Sequence, residues 1–435
     1  MNIPVVTVGQ SREDLVGGLE RLHGPVTVVR KCVELPELLA ACQSGLARAA
    51  VVADGSEGLT ASLVDRLGAV GVAIIALTDN ADEAARLRKI GVASALTGVE
   101  SAELSDRIAD AVEQLTGAGR RSATWSSLAD TGAALGTVQA EPAVVPDGPG
   151  AGRIIAVWGP VGSPGRTTVA ANIAGEMAAD GKQVLLVDAD SYGASIAAVL
   201  GLLDESAGLA QACRLADQGA LDASALQKVA TPVATKSGTF TVLTGITRAD
   251  RWTELRAPAL ALVLERARQI ADVIVVDTGF CLEADEELSF DTMAPRRNAA
   301  ALRPLELADT IYAVGAADPV GVPRLVRGLA ELEAAVPQAS PLVVMNKVRA
   351  SSVGRSPERQ LQDAWERYGP ACGIETFLPH DPAAADAALL AGSLLLETAP
   401  ESALRRAVRS LVCAPDQQKV KSSVFSSTAG RRSKG

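Results

Sequence analysis

With 435 residues the chain has room for two or three domains, and at 48% apolar but only 3% aromatic its cores must be built from Ala, Val, Leu and Ile. The formal charge of −10 argues against wholesale coating of nucleic acid, so DNA is not an expected partner beyond a local basic patch. The cysteines at 32, 42, 213, 281, 372 and 413 form no Cys-x-x-Cys pair, the start lacks a signal-like pattern, and no apolar run nears the ~20 residues of a spanning helix, which together point to a cytoplasmic chain with free thiols. From the N-terminus, Val5–Val8, Val26–Val29, Ala49–Ala53, Val72–Leu77 and Ala93–Leu96 read as strands. Arg12–Leu22, Leu35–Ala41, Leu59–Leu67, Ala81–Ile90 and Ala102–Leu115 read as the intervening and closing helices. Five β/α units in a row predict a parallel sheet with helices on both faces over residues 1–116.

Residues 117–152 lose this periodicity. Their Gly, Ser, Ala and Pro content predicts a flexible linker, in which Trp125 could dock on a neighbour. A second pattern then begins. The apolar run Ile154–Trp158 leads into Gly159-Pro160-Val161-Gly162-Ser163-Pro164-Gly165-Arg166-Thr167-Thr168, and a helical stretch follows from Val169. Small residues between a strand and a helix let backbone N–H groups converge on phosphate oxygens, and the helix N-terminus faces the anion. Thr167 follows the basic residue, where a hydroxyl can reach magnesium. The pattern G-x-x-x-x-G-K-[ST] is imperfect, with Pro160 at its first glycine and Arg166 at its lysine. From the loop alone, a phosphate-binding turn and a plain Gly/Pro turn before a helix are equally good readings.

The following strands shift that balance. Val184–Val187 delivers Asp188 and Asp190, and Val273–Val276 delivers Asp277. Continuous apolar runs of this kind are strands buried on both faces. Ligands of open parallel sheets bind at the carboxyl ends, where such acids can hold magnesium directly or through water. Helices are expected at Ile196–Leu202, Leu209–Leu215, Leu260–Ile270, Val322–Glu333 and Ser402–Val412, the last carrying Arg405, Arg406 and Arg409. Strands are expected at Phe240–Gly245, Thr310–Val314, Leu342–Lys347 and around Phe377–Asp381. The charged stretch 283–304 reads as a mobile loop, and 414–435 as a disordered basic tail.

On these motifs, residues 153–413 resemble the MinD/ParA group of P-loop ATPases. More narrowly they resemble the CpaE/TadZ pilus-assembly branch and the actinobacterial septum-site-determining proteins, and Trp158–Thr168 is especially similar to the latter. The family's loop K-G-G-x-G-K-[ST] places its signature lysine on Val161, its phosphate-loop lysine on Arg166 and its magnesium hydroxyl on Thr167. Its switch acids fall on Asp188 and Asp190, and its Walker B acid on Asp277. The resemblance implies ATP and Mg²⁺ as cofactors. Gly162, Ser163, Gly165, Arg166, Thr167 and Thr168 would receive the phosphates. Thr167, Asp188 and Asp277 would organise magnesium, and Asp190 with Asp188 would serve catalysis if the chain is an ATPase. Asn346 would contact adenine, or else cap its turn. A homodimer formed on nucleotide binding, partners in cell division or Tad-type pilus assembly, and placement at a pole or septum, with peripheral membrane association, are implied in the same way.

Residues 1–116 resemble a response-regulator receiver domain, with Asp54 where the phosphoacceptor would lie. The acids expected after the first strand are replaced by Val8-Gly9-Gln10-Ser11, and the late lysine by Thr97-Gly98. Without acids to hold magnesium, phosphoryl transfer is disfavoured, so the expectation is a pseudo-receiver used for docking. His380 reads as a loop residue, and Lys419, Lys421, Arg431, Arg432 and Lys434 as a solubilising tail or a contact for anionic lipid. The alternative to a nucleotide-dependent regulator is an inactive scaffold that keeps the fold only to bind partners.

Overall fold

Apolar runs too short for helices and bounded by Gly-rich turns become strands in two separate sheets. The computed structural model describes residues 2–9, 15–22, 24–123, 152–202, 206–283 and 296–412. The expected linker beyond Ala123, Trp125, Cys413, most of the 283–304 stretch and the basic tail lie outside the described residues.

The first sheet holds β1 (Ile3–Val8), β2 (Val26–Cys32), β3 (Ala49–Val52), β4 (Ala73–Leu77) and β5 (Ala93–Ala95), in the order β2-β1-β3-β4-β5. All its pairings are parallel. This is the flavodoxin-like doubly wound order. Every residue of β3 and β4 is buried, as helices on both faces require. The helix expected from Leu59 starts at Ala61, because Thr60 caps it by accepting from Leu63 N, and a 3₁₀ turn fills Ser56–Gly58. The closing helix runs from Ser101 to Ala123, past residue 117, where the linker is expected to begin.

The second sheet holds β6 (Arg153–Trp158), β7 (Val184–Ala189), β8 (Thr231–Thr235), β9 (Gly238–Leu243), β10 (Val273–Thr278), β11 (Thr310–Ala316), β12 (Pro341–Val348) and β13 (Ile374–Pro379). Its order is β13-β12-β11-β6-β10-β7-β9-β8, parallel except for the β8–β9 hairpin. β8 is missing from the sequence reading because Thr231-Pro232-Val233-Ala234-Thr235 carries a proline and a weak apolar pattern; proline is tolerated on this edge. One face is covered by the helix Arg166–Ala179 and the C-terminal helices, the other by Gly208–Asp217 and Ala257–Ala267. The C-terminal helix Ala403–Val412 is fixed by Arg405, whose guanidinium pairs at 2.6 Å with the buried Glu176.

The two sheets are joined through helices. Ala61–Ala69 of the first unit packs against Ala257–Ala267 of the second, and Leu262 enters the first unit's apolar cluster. Ser62 N donates to Asp217 Oδ1 at 2.7 Å, and Arg86 donates to Ser56 O, Leu59 O and Gln218 O. Among the described residues no helix is long and apolar enough to cross a membrane.

Candidate nucleotide site

Parallel pairing brings the chemistry of three strands to one end of the second sheet. Asp277 lies in register with Val157 of β6 on one side and Asp188 of β7 on the other. β6 then runs into the Gly159–Gly165 loop, and the helix Arg166–Ala179 starts behind Gly165, which is left-handed at φ 100°. A side chain at Gly165 would strike the Asn346 amide, and one at Gly162 would meet the Arg324 guanidinium at 2.6 Å. Gly165 is therefore required by space as well as by its left-handed backbone, whereas at Gly162, φ 116°, the guanidinium can move aside and the backbone conformation is what favours glycine. The loop opens on a cleft of about 660 Å³ lined by Gly162, Ser163, Arg166, Thr167, Asp190 and Asn346, among others. That volume lies within the range of small-molecule sites.

The acids are organised from below. Asp188 is almost wholly buried, and its carboxylate accepts from Ser195 N at 2.9 Å, Ile196 N at 3.0 Å and Asp190 N at 3.3 Å. Burial pushes its pKa up to about 6, against the pull of those N–H groups. Thr167 donates its hydroxyl to Asp277 Oδ2 at 2.6 Å, while Asp277 Oδ1 is buried with no partner. Burial first, and then the neighbouring Asp188 charge, hold Asp277 well above the usual carboxylate range. A buried carboxylate oxygen without a donor, beside a hydroxyl and a second acid, is a site that suits a cation. Among the described residues no three His, Cys, Asp or Glu side chains form a metal cage by themselves. A magnesium ion here would therefore use Thr167, water and phosphate oxygens as well, as that ion commonly does.

Arg166 does not extend freely into the cleft. Its Nη1 donates to Gly159 O at 2.8 Å, and its Nη2 pairs with Asp190 Oδ2 at 3.1 Å. Both side chains are nearly buried, and Arg166 Nε has no partner. Asp190 Oδ1 accepts from Tyr192 N and Gly193 N, so this acid also ends the loop after β7 in an Asx-type turn. Thr168 O accepts from Asn172, whose other amide atom accepts from Leu395 N, which anchors the first turn to the C-terminal part. Asn346 is buried at the tip of β12. Its Nδ2 donates to Pro164 O at 2.7 Å and its Oδ1 accepts from Lys347 N at 2.8 Å. Its amide thus holds the loop and its own turn. Val161 is half-exposed at the cleft mouth, where the family pattern would set a lysine. His380 lines the cleft, and its backbone N–H donates to Val348 O at 2.9 Å, joining the loop after β13 to the end of β12.

The structure therefore brings Gly162, Ser163, Gly165, Arg166, Thr167, Asp190 and Asn346 to one cleft, with Asp188 and Asp277 beneath its floor. Other contributors are invisible to motif reading. The Tyr192 ring contacts Phe280, with ring centroids 4.9 Å apart in a tilted arrangement, and the Arg297 guanidinium, 3.8 Å from its centroid. Tyr192 Oη also donates to Asn298 Oδ1 at 2.8 Å. This cluster braces the loop that carries Asp190, but its members come from three separate stretches and share no motif. Lys347 is the other, with Nζ donating to Ser163 O at 2.8 Å. Its only sequence signal is a polar pair at the tip of an apolar strand.

The family described as ParA, NUBPL iron-transfer P-loop NTPase, matches residues 150–239. No curated protein matches the sequence. Among solved structures, the cell division ATPase MinD of Pyrococcus furiosus is similar at 21% identity, over 60% of this chain and 97% of that one, with a TM-score of 0.46. A ParA family ATPase from Chlorobium tepidum TLS is similar at 19% identity, over 60% and 99%, with a TM-score of 0.49. The septum site-determining protein MinD of Pyrococcus horikoshii OT3, complexed with Mg-ADP, is similar at 20% identity, over 60% and 94%, with a TM-score of 0.45.

Proposed function

We propose that the chain is an ATP- and magnesium-binding spatial regulator of the MinD/CpaE kind, acting in septum-site selection or in Tad-type pilus assembly. The observation that carries the nucleotide reading is the Thr167–Asp277 bond beside the unpartnered Asp277 Oδ1, directly below a phosphate-type loop. Thr167, with Asp188 and Asp277 beneath it, would hold the magnesium ion, which would supply positive charge against the two buried acids and the phosphates. Gly162, Ser163, Gly165 and Thr168 would offer backbone N–H groups to the phosphates, and Asp190 would orient water if hydrolysis occurs. The family resemblance supports a homodimer formed on nucleotide binding, division or pilus proteins as partners, and placement at the inner face of the membrane at a pole or septum. The residue ranges 1–116, 117–152, 153–413 and 414–435 are proposed as pseudo-receiver, linker, ATPase unit and tail.

Calorimetric titration of ATP with and without Mg²⁺, with turnover measured on the same samples, tests the nucleotide reading. Magnesium-dependent binding is expected, and no binding in either condition would refute it. Imaging a fluorescent fusion in dividing cells separates septal from polar placement. A second reading, an inactive scaffold, is favoured by one specific observation. The Arg166–Asp190 pair engages both the loop's cation and the acid that would orient water. Binding without turnover would support that reading.

A further inference from the structure

Among the described residues two that are not glycine have left-handed backbone, Ser163 at φ 50° and Lys347 at φ 61°. A residue with a Cβ keeps that conformation only where its surroundings hold it there, and such positions concentrate at functional sites. These two lie 184 positions apart in sequence and are bonded to each other, Lys347 Nζ to Ser163 O at 2.8 Å. Asn346, next to Lys347, donates to the following carbonyl of the loop, Pro164 O, at 2.7 Å. The tip of β12 thus takes two successive carbonyls of the phosphate loop. A trans peptide sets its N–H opposite its C=O, so drawing Pro164 O toward Asn346 turns Gly165 N–H the other way. A carbonyl oxygen left facing an anion would repel it, and an ammonium on Ser163 O removes that repulsion.

The loop carries no lysine of its own. Val161 is apolar, and Arg166 is engaged with Gly159 O and Asp190. Lys347 is the one ammonium that lines the cleft among the described residues. We propose that Lys347 is a positioning residue for nucleotide binding: from β12 it turns the Ser163 carbonyl away from the anion and gives the loop the ammonium charge that its own sequence lacks. This rests on the nucleotide reading above and deepens it.

The test compares the full-length wild type with Lys347→Met, Lys347→Arg and Lys347→Gly. Affinities for ATP, ADP and adenosine are measured by displacement of a fluorescent ADP analogue, and melting temperatures without nucleotide. Lys347→Met should weaken ATP and ADP by about tenfold while leaving adenosine unchanged, because a lost charge-assisted contact acts through the phosphates. Lys347→Arg should recover most of the affinity. Lys347→Gly relieves the left-handed backbone, so it should melt no lower than wild type and yet bind ATP as poorly as Lys347→Met. Equal ATP affinity in wild type and Lys347→Met would overturn the proposal. So would an equal loss for adenosine, which would make Lys347 a contact of the nucleoside. A wild type that binds no nucleotide would instead refute the nucleotide reading, and this assignment with it.

Discussion

Replacing Arg166 by alanine removes the only cationic side chain that the loop itself contributes. Its guanidinium donates to Gly159 O at 2.8 Å and pairs with Asp190 at 3.1 Å, with both side chains nearly out of water. If a nucleotide is bound, the phosphates must draw the guanidinium away from Asp190 or share it. A charge-assisted hydrogen bond to phosphate contributes about 1.5–3 kcal/mol, so Arg166→Ala should weaken ATP binding by roughly tenfold to a hundredfold. The existing pair opposes binding, so Asp190→Ala should do the reverse. Freeing Arg166 should tighten ATP by several-fold, on the order of 1 kcal/mol, while removing any turnover. Arg166→Lys keeps the charge and should retain binding, but its compact ammonium cannot reproduce the planar fork that spans Gly159 O and Asp190. Nucleotide titration of wild type and the three variants, with melting curves to confirm folding, gives the full set of affinities. Equal affinity in wild type and Arg166→Ala would show that the loop does not grip phosphates, and the scaffold reading would replace the regulator.

Three further outcomes are expected. Asp277→Asn keeps an oxygen to accept from Thr167 but loses the carboxylate that would face a cation, so magnesium-dependent ATP binding should be lost while melts of the nucleotide-free variant show a folded protein; magnesium-dependent binding at wild-type affinity would refute this account. Asp188 has its pKa raised to about 6 from an ordinary 3.8, so between these values the folded form binds more protons and its stability falls as pH rises. The magnesium-free wild type should therefore lose stability relative to Asp188→Asn as pH rises from about 4 through about 6, and a gain over that range would contradict it. Finally, a small phosphodonor with magnesium should leave Asp54 unlabelled, because the sequence Val8-Gly9-Gln10-Ser11, whose Gly9 backbone lies against Asp54, has no acid where a pair would be needed; a stable acyl-phosphate would reverse the pseudo-receiver reading.

Much of this architecture is legible in the sequence because parallel strands buried on both faces have few alternatives. Val184–Val187 and Val273–Val276 are continuous apolar runs that end in acids, and register then places Asp188 beside Asp277. The edge hairpin is not legible, since β8 is partly exposed and carries Pro232. Nor is the reach of the Ser101–Ala123 helix, whose later residues include Gly117 and Gly119, both weak helix formers. In the site, the residues that chain chemistry names directly are the ones that a motif captures. Those that act through distant partners are not. The pairing of Arg166 with Asp190, and of Lys347 with Ser163, depends on how strands far apart in sequence meet at one sheet end.

The departures from the family pattern are unevenly placed. Thr167, Asp188 and Asp277 retain the residue types that would handle magnesium, and they sit on the buried side of the site. Pro160, Val161 and Arg166 carry the changes, and all belong to the loop arm that would surround the transferring phosphoryl group. Under the proposed reading, ground-state binding would draw on backbone N–H groups, the helix N-terminus and magnesium, none of which depends on the side chains that changed. Acceleration draws on contacts that strengthen only as charge moves in the transition state. Val161 cannot provide such a contact to a partner's nucleotide, and Arg166 can provide one only by leaving Asp190. Under the proposed reading, affinity for ATP therefore outlasts hydrolysis in this chain. A long-lived nucleotide-bound state would follow, suited to holding a partner in place rather than to rapid cycling. Restoring lysine at both loop positions, Val161→Lys with Arg166→Lys, should then raise turnover more than affinity, measured as a larger change in kcat than in Kd for ATP. A rise in affinity with no rise in turnover would place the block elsewhere, at the Tyr192-braced loop that holds Asp190.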